Sequence, residues 1–460
     1  MKKNITAFFL LAIILCSSIF QVSATEGTTS SNVPEINAKA ALLIELNTGS
    51  VIYEKSADDK VYPASLTKIM TCLLTLENGT LTDTVTVSNS AITNLDAAGS
   101  TIGLMEGEEL SVGNLLYAMM LSSANESCNV AAEYVSGNIT SFVDQMNQRA
   151  AELGCTGTHF VNPHGLHDDN HYTTARDLSI IVQEALKYNT FRTIVATPEF
   201  LLPATNLSEA RKLTTTNQLI IPSQSNKYYD SRVTGVKTGF TTPAGRCLIA
   251  TADDGPISLL SIVCGCETII LDTGDLLFAS FPETAKLLEY GFESFVYIPV
   301  LPTLYPIAEI QVAQSASSDT VSLAPQEEIS ALLPCDYDPA LITQNITTSD
   351  SATAPISAGE KFGSVTVSYD GRVLGTTSLI AITSVEKANF LTPAHVAATP
   401  AKTWLRIILL SIIVLCLLFA AALFLRYEIL KRRRMKERRE KMHYKRTTDT
   451  FGSSDWFERE

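Results

Sequence analysis

Nineteen consecutive residues without a charge, Ile407–Leu425, constrain this chain more than any other feature. As a helix rising 1.5 Å per residue, the run spans roughly 28 Å, close to the ~30 Å hydrocarbon core of a bilayer. Trp404 and Tyr427 stand near its two ends, as amphipathic rings do at a membrane interface. Lys431-Arg432-Arg433-Arg434 follows, with further basic residues to Arg446. Such a flank stays in the cytoplasm, which argues against a buried core helix. A single transmembrane helix is therefore expected at 405–425, with a basic cytoplasmic tail at 426–460.

The other end of the chain completes the topology. Lys2 and Lys3 precede the apolar stretch Phe8–Leu15, and Val22-Ser23-Ala24 offers small residues for cleavage. That pattern reads as a secretory signal peptide over 1–24, with an uncleaved anchor as the alternative. The chain then passes outward first and inward once. Its folded part is expected outside the cell, attached to the cytoplasmic membrane.

The net charge is −14. Removing Lys2, Lys3, Arg406 and a tail whose twelve Lys/Arg outnumber its seven Asp/Glu leaves about −22 for residues 25–405. An ectodomain that acidic is a poor partner for nucleic acid. Seven cysteines remain between the two apolar runs, an odd number scattered through apolar contexts. They read as small buried hydrophobes, not as a disulfide framework.

Residues 25–37 form a polar leader. Ala40–Leu46 and Val51–Glu54 flank the turn signal Asn47-Thr48-Gly49-Ser50 and predict a β-hairpin. Helices are expected from near Ser65 through Leu76, over Gly113–Leu121, Asn129–Val135 and Ala175–Leu186, and over Phe281–Tyr290. Thr173 or Thr174 can cap the fourth. Strands are expected at Val233–Thr238, Arg246–Ala252 and Ile257–Val263. Past Phe292 the composition turns to short strands with frequent Pro, Ser and Thr. Tyr369-Asp370-Gly371-Arg372 there marks a hairpin turn. The expected domains are 38–291, a small β-rich domain at 292–385, and a linker at 386–404.

Three short motifs carry chemistry. Ser65-Leu66-Thr67-Lys68 follows Tyr62-Pro63-Ala64, and Pro63 suits the approach to a helix start. On a helix Lys68 lies one turn beyond Ser65 on the same face. A serine hydroxyl needs a base to become a nucleophile, and an amine serves only when neutral. Burial or a second cation lowers its pKa enough. Taken alone, Ser-x-x-Lys is common and usually places a solvated lysine on a helix. However, Ser123-Ala124-Asn125 follows 58 positions after Ser65, and Lys237-Thr238-Gly239 begins 112 positions after Asn125. A nucleophile–amine turn, a polar relay and a strand bearing a cation and a hydroxyl thus occur in the order an acyl-transfer site needs.

With these motifs, the chain resembles the low-molecular-weight penicillin-binding proteins, the serine-type D-alanyl-D-alanine carboxypeptidases. Ala40–Glu45 with Gly49 and Tyr53-Glu54-Lys55, Asn162-Pro163-His164-Gly165-Leu166, Tyr172–Asp177 and Ala244–Leu248 extend the likeness over residues 38–385. The resemblance implies an α/β (α+β) serine hydrolase domain of the β-lactamase/transpeptidase type, then a small all-β domain. It implies that Ser65 attacks the carbonyl between two terminal D-alanines, that Lys68 is its base, and that Ser123 relays protons. Asn125 would bind the substrate peptide. Lys237 would keep the site cationic and hold the Lys68 pKa down, and Thr238 would bind the terminal carboxylate. Gly239 would let the substrate backbone lie close to the strand, and the N–H groups of Ser65 and Phe240 would form the oxyanion hole. The implied partners are the peptidoglycan pentapeptide and β-lactams as covalent inhibitors, with no cofactor and no metal.

Some residues depart from the pattern. Phe240 stands where relatives often carry a polar residue such as histidine. Glu267 stands where some place a cation for the substrate carboxylate. His164, His167 and His171 with Asp168 and Asp169 have metal-like spacing, but a structural loop is the preferred reading. Three other functions use the same residues. A β-lactamase needs a glutamate and water for fast deacylation, and no such motif stands between Asn125 and Lys237. A non-catalytic cell-wall or β-lactam sensor would bind without releasing D-alanine. A D,D-endopeptidase would apply the same chemistry to cross-links.

Overall fold

The computed structural model describes residues 33–93, 95, 99–303, 305–388 and 401–448. The expected signal peptide and residues 389–400 of the linker lie outside them. The chain divides into two compact units, one running to Val300 and including Ser330–Ile342, the other holding Leu301–Ile329 and residues from Thr343 on.

The first unit is built on five antiparallel strands: β1 (Ala40–Glu45), β2 (Ser50–Lys55), β3 (Val233–Thr241), β4 (Gly245–Asp254) and β5 (Ile257–Cys266). Their order across the sheet is β2-β1-β5-β4-β3, so β3 is an edge. Helices cover both faces, which explains why β1 reads as a continuous apolar run. Ala40, Leu42 and Ile44 enter one core, and Ala41 and Leu43 enter the other. Glu45, the one charge in that run, is fully buried. Its carboxylate accepts hydrogen bonds from Asn47 and from the Thr48 backbone and hydroxyl, bracing the β1–β2 turn.

The larger core lies under α1 (Lys68–Asn78), α2 (Val112–Met120), α3 (Asn125–Ser136), α4 (Ile139–Glu152) and α5 (Ala175–Ala185). Leu73, Leu116, Val130 and Val182 are among the side chains it buries. The opposite face is covered by α6 (Ser280–Ser294) through Phe281, Leu287 and Leu288. Thr174 caps α5 by accepting from the Asp177 N–H. Sequence reading passed over α4 although its signals are present. Asn138 caps it, and Phe142, Met146 and Ala150 form a buried stripe four residues apart. Six of the seven cysteines are buried, Cys335 is exposed, and all are free thiols.

In the second unit a six-stranded sheet contains Lys361–Tyr369 paired with Arg372–Ala381. Asp370 and Gly371 at its tip both have positive φ, the geometry of a type I′ hairpin turn. Phe295–Leu301 pairs with Ile329–Pro334 in a separate ribbon that lies almost wholly in the first unit. A continuous helix runs from Ala401 to Thr448. Its segment Arg406–Lys436 is long and apolar enough to cross a membrane, and none of its most apolar stretch is buried against protein.

Candidate active site

Ser65 sits in a tight 3-10 turn, Ala64–Thr67, that runs directly into α1 at Lys68. Ala64 holds φ +47°, a costly conformation for a residue with a side chain. Gly165 packs against this turn so closely that a Cβ there would lie 1.8 Å from the Ala64 carbonyl oxygen. The expected helix start is thus a strained turn clamped by the Asn162–Leu166 loop.

Lys68 is completely buried. Its Nζ lies 3.1 Å from Ser65 Oγ, 2.8 Å from Asn125 Oδ1 and 2.5 Å from the His164 carbonyl oxygen. The last two can only accept. A neutral amine donates its two N–H groups to them and points its lone pair at the serine hydroxyl. An ammonium would also fill the three positions, but no carboxylate forms an ion pair with Lys68 among the described residues. Burial pushes its pKa below the ordinary lysine value.

Ser123 lies between α2 and α3 with φ +61° and is almost fully buried. Asn125 opens α3, and its N–H donates to the Ser100 carbonyl. On β3, Lys237 is buried and its Nζ donates to the Thr238 carbonyl at 3.2 Å. Burial, then the nearby Lys68, bring the Lys237 pKa down to about 7. Burial is the first cause at both amines, and two buried amines in one site disfavour each other's charge. Thr238 Oγ1 lies 2.5 Å from Thr216 Oγ1.

A groove of about 750 Å³ opens over this constellation. Ser65, Ser123, Asn125, Thr238, Gly239 and Phe240 all line it. Lys68 and Lys237 stand behind it. Two of the expected site residues make further contacts. Asn125 is hydrogen-bonded to Lys68 and also lines the groove. A Cβ on Gly239 would come within 3.0 Å of the Pro63 carbonyl oxygen and 3.3 Å of the Ser65 nitrogen. The missing side chain therefore lets the Ser65 turn pack closely against the strand, while Gly239 also lines the groove.

Two of the clustered histidines are tied into the fold by hydrogen bonds. His171 Nδ1 accepts from the Val161 N–H, which leaves Nε2–H to donate to Thr67 Oγ1 at 2.7 Å. His164 Nδ1 accepts from the Leu166 N–H. Burial lowers the His171 pKa to about 4 and that of His164 to about 3, so both are neutral. No group of three or more His, Cys, Asp or Glu suited to a metal occurs among the described residues. Glu267 is exposed and does not line the groove. Sequence reading missed the His164 carbonyl, Thr216 and the groove position of Arg246. The first two carry no local signal, because each reaches the site from a distant segment.

Comparison with known proteins agrees with this geometry. Residues 27–268 match the D-alanyl-D-alanine carboxypeptidase family, and residues 305–387 match the C-terminal domain of penicillin-binding protein 5. The chain is 31% identical over 397 residues to D-alanyl-D-alanine carboxypeptidase DacF of Bacillus subtilis, covering 85% of this chain and 97% of that protein. It is 30% identical over 383 residues to D-alanyl-D-alanine carboxypeptidase DacC of Escherichia coli, covering 81% and 90%. Penicillin-binding protein 5 of Haemophilus influenzae superposes with a TM-score of 0.58 at 27% identity, over 77% of this chain and 99% of that structure. The chain belongs to the D-alanyl-D-alanine carboxypeptidase family of low-molecular-weight penicillin-binding proteins.

Proposed function

We propose that Ser65 is the nucleophile with which this carboxypeptidase removes the last D-alanine from peptidoglycan pentapeptides. The carrying observation is the buried Lys68 amine, 3.1 Å from the Ser65 oxygen and hydrogen-bonded to two obligate acceptors. Lys68 takes the Ser65 proton as Oγ attacks the carbonyl between the two D-alanines. The backbone N–H groups of Ser65 and Phe240 receive the developing oxyanion. Ser123 passes a proton to the departing amine, and free D-alanine leaves. Thr238 holds the terminal carboxylate, and Lys237 behind it keeps the site cationic. Water then cleaves the Ser65 ester, returning the enzyme and a tetrapeptide. β-Lactams acylate the same oxygen.

The same reading gives catalysis to residues 38–291 and makes 292–385 a β-rich accessory domain. Residues 405–425 cross the cytoplasmic membrane once. The catalytic domain lies outside and the tail at 426–460 inside, supported by the apolar helix and the basic residues after it.

Mass spectrometry after benzylpenicillin treatment tests the mechanism. One adduct on Ser65 is expected, absent in Ser65→Ala, together with D-alanine release from a D-alanyl-D-alanine peptide. An adduct elsewhere, or release by Ser65→Ala at the wild-type rate, overturns it. An adduct lasting hours separates the enzyme from a β-lactamase.

A further inference from the structure

We propose that Arg246 forms an anion subsite that selects stem peptides carrying a free carboxylate upstream of the scissile bond. The inference rests on the serine reading above and adds a specificity residue to it.

Arg246 lines the groove that holds Ser65 and Thr238. On the sheet it is the cross-strand partner of Phe240. Its guanidinium lies over two aromatic rings, 3.9 Å from the Phe240 centroid and 3.8 Å from that of Phe278. Nε donates to Thr268 Oγ1 at 3.0 Å. Ring contacts and this bond together fix the plane of the guanidinium.

What it lacks is an acid. Arg149, Arg176, Arg211 and Arg232 each pair with carboxylates. No carboxylate forms an ion pair with Arg246 among the described residues. Partial burial disfavours its charge with nothing opposing that effect, yet a guanidinium remains protonated in proteins. A chain of net charge −14 thus keeps an unneutralised, orientationally fixed cation in its substrate groove. Such a fork suits a carboxylate held by two parallel hydrogen bonds.

Direction along β3 identifies which carboxylate. The terminal one is assigned to Thr238, and the scissile carbonyl to the N–H of Phe240. The acyl portion therefore continues past Phe240, beside Arg246. Two residues of strand separate Thr238 from Phe240, roughly 7 Å, so one carboxylate does not serve both sites. Glu267, just past the end of β5, is exposed and forms no ion pair with Arg246 among the described residues.

The test uses the full chain in detergent and two peptides, N-acetyl-L-Glu-D-Ala-D-Ala and N-acetyl-L-Gln-D-Ala-D-Ala, which differ in one charge at nearly equal shape. The ratio of their kcat/KM values is read for wild type, Arg246→Gln and Arg246→Lys. Wild type is expected to favour the glutamyl peptide about tenfold. Arg246→Gln should bring the ratio to about one, and Arg246→Lys should keep part of it, since the charge stays while the fork is lost. A wild-type ratio near one overturns the proposal. So does an equal fall for both peptides in Arg246→Gln, which would make the guanidinium a brace for Phe240 and Phe278. Benzylpenicillin adducts on Ser65, measured in each protein, separate the two levels. An adduct without the preference removes only the subsite, and no Ser65 adduct in wild type removes the serine mechanism and the subsite with it.

Discussion

Asn125 Oδ1 accepts a hydrogen bond from Lys68 Nζ at 2.8 Å, linking the start of one helix to the start of another across 57 positions of sequence. The amide oxygen favours N–H donors without adding a charge, so the amine can remain neutral. Asn125→Asp replaces that oxygen by an anion in a buried place. It stabilises the ammonium and raises the Lys68 pKa. Acylation of Ser65 by benzylpenicillin at pH 7 is expected to fall about 10- to 100-fold. Stopped-flow acylation rates across pH check this: the rising limb should move to higher pH. An unmoved limb would mean Asn125 acts on substrate alone.

Lys68 must lose its proton before it can accept one. Burial lowers its pKa, so wild-type acylation should rise with pH along a limb below the ordinary lysine value of 10.5. Lys68→Arg cannot deprotonate and should lose about 10³-fold or more, with a lowered melting temperature, because a larger and permanently charged group is buried without a carboxylate partner. A limb at or above the ordinary value would contradict the burial argument.

Lys237 opposes stability for the sake of the site. Its folded pKa of about 7 lies below the ordinary lysine value of 10.5. Between those values the unfolded chain holds a proton that the folded chain has released, so stability rises with pH over that interval. At pH 7 and below, nearly the whole cost of burying the ammonium is present. Lys237→Met should therefore melt several degrees higher at pH 7, with the gain shrinking toward pH 10, and should lose carboxypeptidase activity. Thermal melts at pH 6, 7, 8.5 and 10 measure this. A variant less stable than wild type at pH 7 would refute it.

Two glycines press on the Ser65 turn with different severity. Gly165→Ala places a Cβ 1.8 Å from the Ala64 carbonyl oxygen at φ +87°, a clash nothing nearby can relieve. A loss of about 3 kcal/mol or more is expected, read as a lowered melting temperature and yield. Gly239→Ala meets its neighbours at 3.0–3.3 Å, so the turn need shift only by tenths of an ångström. There we expect folding with little loss of stability but about a tenfold loss in kcat/KM, because the Ser65 N–H moves from the oxyanion position.

His171 and His164 set the acid limit. Both are neutral in the fold, with pKa values of about 4 and about 3 against an ordinary 6.5. Their contribution is complete above pH 6.5. It falls away with acid as the unfolded chain takes up protons, through pH 4 for His171 and pH 3 for His164. His171 alone carries on the order of 3 kcal/mol of this linkage. His171→Gln should flatten the fall in melting temperature between pH 6.5 and 4, although it lowers stability at pH 7 by removing the bridge between Thr67 and Val161.

Local and periodic information was legible from the residues. The apolar run Ile407–Leu425, the Asn47–Ser50 turn, the Thr174 cap and each of the motifs Ser65-x-x-Lys68, Ser123-x-Asn125 and Lys237-Thr238-Gly239 occupy one contiguous stretch of 19 residues or fewer. Helix and strand periods and cap chemistry act over that same distance. The unbroken hydrophobicity of β1 was visible too. Its meaning, burial on both faces, required the helices on either side.

Only the tertiary structure decided how the site is held. The His164 carbonyl reaches Lys68 from 96 positions away, and a backbone oxygen has no residue-type signature. Gly239 faces the Ser65 turn because β3 happens to pass there, and its lack of a side chain looks the same in a sequence whichever neighbour it admits. Arg246 is one charged residue among many until strand pairing sets Phe240 beside it and the fold brings Phe278 to the other contact. Covalent order specifies which groups exist, whereas distance, burial and direction come from contacts between segments far apart in the chain, and those settle which amine is neutral and which cation waits for a ligand.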